Sequence, residues 1–524
     1  MTRFKRMRGY KALWVPGADH AGFETQIVYE KKLEKEGRSR FKIDPKELYK
    51  EILNFTLENK KYMEDEVRAM GASCDWSREK FTLDPDVIYA VHKTFKRMYD
   101  DNLVYRGKRA VNWCTKHQTS LSDVETESKE LNDTLYYIKY GPITVATVRP
   151  ETIFGDVAIA VHPEDVRYKQ YIGKMISVDI PGSKLELKVI ADEKVDREFG
   201  TGALKITPAH DKNDFEFSER HHLPIVEVID QFGKLNDKTG PYKGLKVLEA
   251  RRKVAEDLEK TYLIEKKEPY VHTVPVCYKC ETIIEPRIIP QWFVKMKPLA
   301  DLALEAVRRD KIVFYPDHQK KVFEHWMENP IDWNISRQIV WGIRIPAKIC
   351  DSCGFGEPDL ENALSKCPRC GSKYRADTDT FDTWFSSGQW PLITLGFPDG
   401  KDFKEFYPTD IMETGYDLVF KWVPRMVIFG LYLAKKVPFH NVYLHGLVND
   451  AQGKKMSKSK GNVVSPLTLT DEFGTDALRM ALVVGNTPGT DLSLSPNKVK
   501  GYKHFANKMW NAARFVLSHV SKEP

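Results

Sequence analysis

The sequence contains no apolar run long enough to cross a lipid bilayer. Its most apolar stretch, MVIFGLYLA at 426–434, is far shorter than the ~20 residues that a transmembrane helix needs. The basic amino terminus, MTRFKRMRGYKALW, lacks the apolar segment of a secretory signal peptide. We therefore predict a cytoplasmic protein with no membrane partner, and we expect a monomer.

A strong excess of one charge is also lacking. The chain has 81 Lys and Arg against 74 Asp and Glu, a net charge of +7 over 524 residues. This balance permits a nucleic-acid partner without requiring one. The length is too great for one hydrophobic core and predicts three or four domains.

Cysteine is scarce, and most of it lies in CxxC pairs: six of the eight cysteines are placed in this way. In the cytoplasm such pairs are metal ligands rather than disulfides. Two pairs follow each other closely and have the spacing of a zinc ribbon, in which four thiolates surround Zn²⁺. Its predicted ligands are Cys350, Cys353, Cys367 and Cys370. The alternative is a set of free cysteines on a turn.

The third pair, Cys277 and Cys280 in VPVCYKCET, has no neighbouring pair. The one similar segment is VNWCTKHQT, which carries Cys114 and His117. These four residues complete a second zinc site only if the two segments meet and the chain between them forms an insertion. Otherwise His117 is a surface histidine. Cys74, in GASCDW, has no partner and is predicted to be packed.

Four regions differ in pattern, and together they predict an α/β protein. Residues 1–135 mix helical periodicity with short apolar stretches. Residues 136–275 are rich in short β runs separated by turn residues, typical of a separate domain. Strands and helices alternate again over 276–465, which contains the zinc ribbon at 347–375, a buried strand VYLHGLV, and a long helix predicted over 413–436. Residues 466–524 are helical.

The stretch GKKMSKSKGN at 453–462 holds four lysines and one apolar side chain. It is either a solvated surface loop or a loop that closes over a polyphosphate, for which lysines and backbone N–H groups are suited. Its position after the buried strand VYLHGLV and before GTDALRMAL resembles the KMSKS loop of class I aminoacyl-tRNA synthetases.

Other segments resemble the valyl-tRNA synthetase family within that class. The isoleucine and leucine enzymes share the architecture but carry a Trp-Asp pair where this chain has PGADHAG, and an Asp in the WFSS position. The resemblance covers essentially the whole chain and rests on LWVPGADHAGFETQ (13–26), ATVRPETIFGDVAIAVHPED (146–165), FGTGALKITPAHDKNDFE (199–216), WNISRQIVWGIRIP (333–346), DTWFSSGQWPLITLGFP (382–398) and ETGYDLVFKWVPRM (413–426).

The resemblance implies a split Rossmann-type catalytic domain with an inserted β-rich editing domain, zinc-ribbon modules and the start of a helical anticodon-binding bundle. The sequence departs from the family pattern in two respects. Ala18 replaces a usual threonine, and no His-x-Gly-His signature occurs in these 524 residues. We therefore expect a fragment that activates valine poorly by itself.

For the synthetic reaction, the resemblance implies that valine attacks ATP, used with Mg²⁺, and that the valyl group then moves to tRNA(Val). Lys455, Lys458 and Ser457 belong to the loop that neutralises the leaving pyrophosphate, and Asp19 holds the substrate ammonium. The remaining substrate-binding positions are Trp384 and Trp422 as pocket walls, Glu413, Gly415, Asp417 and His445 around the adenosine, and His20 with a less defined role.

For the insertion, the resemblance implies hydrolysis of mischarged threonyl-tRNA(Val). Threonine has nearly the shape of valine, and for valyl-tRNA synthetases themselves the known discrimination of an apolar pocket is only about a hundredfold. Asp214 is predicted to hold the threonine ammonium and Asp211 its hydroxyl or a water. Lys205 and Arg149 are predicted to contact the tRNA 3′ end, and Thr147 and Thr152 complete the site.

Plainer interpretations exist for these residues. Asp211 and Asp214 are also placed to cap the helix that begins in DFEFSERHH, and Lys205 alone could be an ordinary exposed lysine. Two further functions stay open for the chain: an editing-only deacylase and a non-catalytic zinc-ribbon protein that binds RNA. The isoleucyl enzyme is a lesser alternative.

Overall fold

The computed structural model describes residues 1–456 and 462–520 of the chain. The first part of the body combines helices with short strands. Its longest helix begins where Asp44 accepts hydrogen bonds from the amides of Lys46 and Glu47 and Pro45 occupies the first helical position, two common start signals. The elements are α1 Thr2–Met7, β1 Gly17–Ala18, α2 Gly22–Lys35, α3 Pro45–Ala69, β2 Lys80–Phe81, α4 Pro85–Asp100, β3 Val104–Cys114 and β4 Thr119–Leu121.

A β-rich insertion follows. A long antiparallel ribbon of its first and last strands joins it to the body, with residues paired from Thr126↔Cys277 to Ile264↔Ile138. Its elements are β5 Thr126–Tyr140, β6 Ile143–Thr147, β7 Ala158–Val161, β8 Met175–Ile180, β9 Ser183–Ala191, β10 Ala203–Ile206, α5 Lys212–His221, α6 Val247–Lys260 and β11 Ile264–Cys277. Two sheets, ordered β11-β5-β6 and β10-β7-β9-β8, enclose a core that α6 also covers.

The chain then returns to the body. Its elements are β12 Glu285–Val294, α7 Met296–Arg308, β13 Val313–Tyr315, α8 Gln319–Glu328, β14 Trp333–Asn334, β15 Ser336–Arg337, β16 Ala347–Cys350, β17 Gly356–Pro358, β18 Tyr374–Ala376, β19 Thr380–Phe381, α9 Thr383–Ser387, α10 Trp390–Ile393, α11 Lys401–Phe406, β20 Thr409–Gly415, α12 Trp422–Phe429, β21 Phe439–His445 and β22 Val448–Asn449. The last part contains α13 Pro466–Phe473, α14 Thr475–Val483, β23 Leu492–Ser493 and α15 Pro496–His519.

The body is organised around a parallel sheet ordered β13-β21-β20. Buried apolar residues of the strands pack against α7 and α12, with Phe314, Val442 and Leu444 fully or almost fully hidden from solvent. A second body sheet, β14-β12-β3-β4, carries the root of the insertion ribbon. This arrangement brings the carboxyl ends of β20 and β21 to one edge, where open α/β sheets bind ligands.

Some sequence-based expectations differ from the observed elements. The prediction of a long helix over 413–436 was wrong for its first part, because residues 409–415 pair in parallel with β21 and form a strand. A helix begins only at Trp422, and a π-helical turn at Gly430–Ala434 ends it. The predicted domain boundary at 135/136 falls inside β5, and α6 was not foreseen in a region characterised by short β runs.

Candidate functional site

A largely apolar cavity in the body brings together segments that are far apart in sequence. It has a volume of about 430 Å³ and is lined by the turn after β1 and by α9, α10 and the start of α12. We call it the Asp19 cavity. Its lining residues are Gly17, Ala18, Asp19, Ala21, Glu24, Thr82, Glu125, Thr383, Trp384, Ser387, Trp390 and Trp422.

Three tryptophans form the apolar wall of the Asp19 cavity. The backbone amide of Trp384 donates to the Asp382 carboxylate, which caps α9. The indole N–H of Trp422 donates to the carbonyl of Ser387 at 2.8 Å. Trp390 lies so close to the β1 turn that a Cβ on Gly17 would come within 2.4 Å of its ring. The wall is therefore fixed by hydrogen bonds and by a glycine that leaves room for an indole.

Asp19 is the acidic group at the opposite side of the cavity. Its carboxylate accepts a hydrogen bond from the amide of Ala21 at 2.7 Å. The side chain is 37% accessible, and it lines a cavity whose other walls are largely apolar, which partly desolvates it. This desolvation, with smaller contributions from Glu24 and Asp382, raises the pKa of Asp19 to about 7.

His20 follows Asp19 in sequence, but its imidazole ring is not exposed to a ligand in the cavity. It is almost completely buried, and its Nδ1 lies 2.7 Å from the Thr82 hydroxyl. Burial lowers the pKa of His20 to about 3, which keeps the imidazole neutral. Its contact with Thr82 joins the β1 turn to the segment that contains this threonine.

The predicted adenosine residues lie at the carboxyl edge of the parallel sheet. Glu413 and Gly415 are on β20, Asp417 follows in a short turn, and His445 ends β21 directly opposite Gly415. The Nδ1 atom of His445 contacts the Glu413 carboxylate, and this hydrogen bond raises the pKa of the imidazole. Glu413 and His445 are about half exposed, so both can reach a bound ligand.

The cationic loop is described only at its beginning. Lys455 is exposed and its backbone forms a bridge with Asn449, while Met456 packs on the cluster of α13, α14 and α15. The predicted residues Ser457 and Lys458 lie outside the described residues.

The predicted editing residues converge in the insertion. Lys205 on β10 is buried, and its ammonium donates to Thr152 and Asp156, both at 3.0 Å, and to Thr207 at 2.6 Å. The interpretation of Lys205 as an ordinary exposed lysine is therefore wrong. The Thr147 hydroxyl oxygen accepts from the amide of Arg149 at 3.0 Å and so shapes the following turn.

The two aspartates have different surroundings. Asp211 is exposed and caps α5, accepting from the amides of Asn213 and Asp214. Asp214 is buried and accepts from the amide of Thr207 at 2.8 Å. Desolvation, reinforced by the nearby Asp211 charge, raises the pKa of Asp214 to about 7. Capping therefore accounts for Asp211 but not for the buried carboxylate of Asp214.

Arg149 connects the insertion to its root. Its guanidinium donates to Glu151 at 3.0 Å and to Glu285 of β12 at 2.6 Å. Arg251 on α6 continues the chain of charges by donating to Glu151 at 3.1 Å. Sequence reasoning missed Glu151, Glu285 and Asp156, and of these only Asp156 carries a signal, as an acidic residue in the otherwise apolar segment IFGDVAIAV.

Both predicted metal clusters assemble. The ligand atoms of the neck cluster (Cys114, His117, Cys277, Cys280) and of the ribbon cluster (Cys350, Cys353, Cys367, Cys370) lie within 4.8 Å of one another in each group. The sulfur atoms of Cys350 and Cys370 are 3.4 Å apart, and those of Cys114 and Cys280 are 3.6 Å apart. Four ligands about 2.3 Å from a tetrahedral Zn²⁺ lie about 3.8 Å from each other, so these distances fit zinc.

Two further observations fit a metal in the neck cluster. His117 is buried, its Nδ1 faces Glu30 at 3.4 Å, and its Nε2 has no hydrogen-bond partner among the described residues. A carboxylate behind one nitrogen orients the other toward a metal. In both clusters each pair closes the same turn, as the amide four residues after the first cysteine donates back to its carbonyl: Gln118, Glu281, Gly354 and Gly371.

Comparison with known proteins identifies the class. Residues 1–495 match the family described as tRNA synthetases class I (I, L, M and V), and the chain belongs to this family. Similar solved structures include the ternary LeuRS–tRNA–LeuAMS complex of Agrobacterium radiobacter K84, with a TM-score of 0.52, 19% identity and coverage of 97% of this chain and 68% of that one. For Mycobacterium tuberculosis methionyl-tRNA synthetase bound by methionyl-adenylate, the TM-score is 0.55 and the identity is 15%, with coverage of 99% of this chain and 66% of that one. These likenesses establish the fold.

Among curated proteins, the relatives that the chain resembles include several named valine–tRNA ligase. It is 48% identical to that of Carboxydothermus hydrogenoformans over 99% of this chain and 60% of the relative. It is 46% identical to that of Thermotoga maritima over 99% of this chain and 61% of the relative. The chain thus spans about three-fifths of the length of these relatives. No helix in the described part of the chain is long and apolar enough to span a membrane.

Proposed function

We propose that the chain carries the synthetic and editing sites of a valine–tRNA ligase. The observation that supports this most directly is the Asp19 cavity, in which Asp19 and two further carboxylates face an apolar wall of tryptophans beside the carboxyl edge of a parallel sheet. A free amino acid with a small apolar side chain fits such a cavity, because its ammonium matches the acidic side and its side chain matches the tryptophans. The similarity to proteins named valine–tRNA ligase supports valine as that amino acid.

In the proposed synthetic reaction, Asp19 binds the valine ammonium and Trp384 and Trp422 enclose its side chain. The valine carboxylate attacks the α-phosphate of ATP, and pyrophosphate leaves. Glu413 and His445, at the edge of the parallel sheet, are the proposed contacts of the adenosine. Such a reaction depends mainly on positioning and on neutralising phosphate charge. We assign that neutralisation to Mg²⁺ with ATP and to the loop containing Lys455, Ser457 and Lys458.

The second step of the synthetic proposal is attack of a terminal ribose hydroxyl of tRNA(Val) on the valyl-adenylate, which forms the ester and releases AMP. A ligand-binding experiment tests the pocket without requiring turnover. We expect the 524-residue chain to bind valine and a non-hydrolysable valyl-sulfamoyl-adenosine, and to bind the isoleucyl counterpart at least about tenfold less tightly, because one extra methylene must fit against fixed indoles. Equal affinity for both compounds would favour the isoleucyl alternative, and binding of neither would remove the synthetic assignment.

We further propose that the insertion hydrolyses threonyl-tRNA(Val). Asp214 is the proposed ligand of the threonine ammonium, and Asp211, which is exposed beside it, binds the threonine hydroxyl or the attacking water. The support is chemical: a buried carboxylate lies next to an accessible one at the start of α5. Lys205 and Arg149 already have carboxylate partners, so contact with the tRNA 3′ end requires that they share or exchange these partners.

Asp214 provides the test of the editing proposal. Asp214→Asn keeps an acceptor for the Thr207 amide but removes the charge, and Asp214→Ala removes both. We expect each variant to lower the hydrolysis of threonyl-tRNA(Val) at least about a hundredfold, as expected for loss of an essential charged contact, while the circular dichroism spectrum stays that of the wild type. Asp237→Ala, at an exposed site of the same insertion, is the control. Wild-type rates in the Asp214 variants would exclude Asp214 from the site.

For the metals, we propose structural Zn²⁺ in both clusters. Cys350, Cys353, Cys367 and Cys370 would hold one ion, and Cys114, His117, Cys277 and Cys280 the other. Each zinc ties two chain segments together and has no open position for substrate.

A further inference from the structure

The Asp19 cavity contains more carboxylates than its one pairing with an arginine can neutralise. Three carboxylates line it: Asp19, Glu24 and Glu125. The Glu125 charge is compensated, since its Oε2 accepts from the guanidinium of Arg337 at 2.6 Å and from the Ser122 hydroxyl at 2.8 Å. Asp19 and Glu24 therefore carry the charge that a cationic ligand in this cavity experiences.

Glu24 lies in the first turn of α2, five residues after Asp19, and its side chain is 39% accessible. Its Oε1 accepts a hydrogen bond from the hydroxyl of Tyr278, and the Lys279 ammonium lies 4.0 Å from the same oxygen. No hydrogen bond to Oε2 is made by the residues that the structure describes. One oxygen of Glu24 is therefore fixed, while the other remains available to a ligand.

The residue that fixes Glu24 belongs to the neck cluster. Tyr278 lies between the ligands Cys277 and Cys280, and its backbone amide donates to the carbonyl of Glu125 at 3.4 Å. Its ring packs against Phe23, which in turn packs edge-on against His117. The turn that holds Cys277 and Cys280 thus reaches the floor of the Asp19 cavity and contacts two of its three carboxylate residues.

We propose that Glu24 is a second carboxylate for the substrate ammonium, and that Tyr278 of the neck cluster is the positioning residue that holds it toward the cavity. The inference rests on the proposed synthetic function. An ammonium group has three donors, so two carboxylates can bind it together without competing for the same proton. The neck cluster then supports amino-acid binding directly as well as the root of the insertion.

The test compares two ligands that differ only in the ammonium: valyl-sulfamoyl-adenosine and its des-amino counterpart, isovaleryl-sulfamoyl-adenosine. Affinities are measured by calorimetry at pH 8 for the whole chain. In Glu24→Gln we expect about tenfold weaker binding of the valyl compound, from the loss of one nearby charge. Binding of the isovaleryl compound should be unchanged. Tyr278→Phe, which removes only the hydroxyl, should show the same selectivity with a smaller loss of about threefold.

The matched controls are Tyr29→Phe and Glu51→Gln. Tyr29 is also on α2, and its hydroxyl donates to Glu51 at 2.8 Å, so this pair has the same chemistry away from the cavity. Both controls should bind the two ligands as the wild type does. Zinc content should stay unchanged in Tyr278→Phe, showing that the neck cluster is intact.

The outcomes separate the inference from the function on which it rests. If the wild type binds both ligands and Glu24→Gln weakens them equally, Glu24 supports the fold of the cavity and the inference is wrong. The same conclusion follows if Glu24→Gln changes neither affinity. If the wild type binds neither ligand, the synthetic function itself fails and the inference fails with it.

Discussion

Asp19 and Glu125 are carboxylates of one cavity that differ in whether they have a cationic partner. Glu125 is paired with Arg337, whose guanidinium also reaches Asp382 at 2.5 Å. Among the described residues, the Asp19 carboxylate contacts a backbone amide and the neutral ring of His20, 3.5 Å away. Burial without a cationic partner explains why the pKa of Asp19 rises to about 7 while that of His20 falls to about 3. In the proposed synthetic reaction, the substrate ammonium supplies the missing partner.

This pKa predicts how valine affinity depends on pH. The ammonium binds the ionised form of Asp19, so affinity should be constant above about pH 7.5 and fall about tenfold for each pH unit below 7. Because the folded-state pKa lies above the ordinary aspartate value of 3.8, Asp19 stabilises the fold most at low pH, and that contribution is lost as the pH rises toward 7. Calorimetric titrations with valine between pH 5.5 and 8 measure the effect.

Asp19→Asn is the control for that titration. It removes the titrating group, so valine should bind weakly and with little dependence on pH over the same range. A variant that keeps the wild-type profile would assign the titration to another group. His20 cannot be that group, because it stays neutral throughout this interval.

Lys205 and Asp156 form the corresponding buried pair in the insertion, with both side chains almost completely hidden. Lys205→Met leaves Asp156 without its cation, and removing one partner of a buried pair typically costs about 3–5 kcal/mol. Thermal unfolding of the insertion should therefore shift to lower temperature. The exposed pair Lys194–Glu216 provides the control, since Lys194→Met should change stability by less than about 1 kcal/mol. Equal shifts would mean that the Lys205 pair contributes no more than a surface contact.

At the scale of elements, the four metal-binding turns were the most predictable feature. Their ligands are three residues apart, so local sequence determines the geometry. The pairing of Cys114 with Cys280 across 166 positions could be proposed only because each half-site lacked another partner. Other long-range contacts gave no local signal. Glu413 lies in a strand because β20 pairs with β21, and this pairing overrides a helical pattern in its own neighbourhood.

The two clusters should release zinc at different rates. In the ribbon cluster Cys353 and Cys370 are exposed, whereas three of the four neck ligands are buried. We expect two equivalents of zinc in the purified chain, and loss of the ribbon zinc first when a coloured chelator is added. Cys353→Ser should lower the content to one equivalent and abolish the fast phase. A single phase that releases both ions together would show that exposure of the ligands does not control release.

For the whole molecule, the main question is how the β-rich insertion is attached to the body. The ribbon of β5 and β11 makes the covalent connection, and a set of polar contacts across the joint supplements it. Arg149 donates to Glu285, and the guanidinium of Arg287 donates to Glu227 at 2.7 Å. The resemblance predicted the insertion and its root, but it did not reveal these pairs. Each pair joins a residue of the insertion to a residue of the body, and the sequence does not indicate which residues of the two regions meet.

The regular pairing of the ribbon predicts that the insertion can be removed without unfolding the body. Asn132 and Val271 are opposite each other in β5 and β11, so an Asn-Gly turn can join them in place of residues 133–270. The neck ligands lie on the retained side of this junction. We expect the shortened chain to keep two equivalents of zinc and to bind valyl-sulfamoyl-adenosine within about threefold of the full chain, but to have no activity on threonyl-tRNA(Val).

The full-length Asp214→Asn variant is the control for this deletion, because it should lose the same hydrolysis while the insertion remains in place. If the shortened chain loses one zinc, the neck cluster depends on the insertion for its assembly. If it keeps both ions but no longer binds the valyl compound, the contacts through Arg149 and Arg287 support the Asp19 cavity from a distance. Retention of zinc and ligand binding together would show that the body and its synthetic site form an independent folding unit.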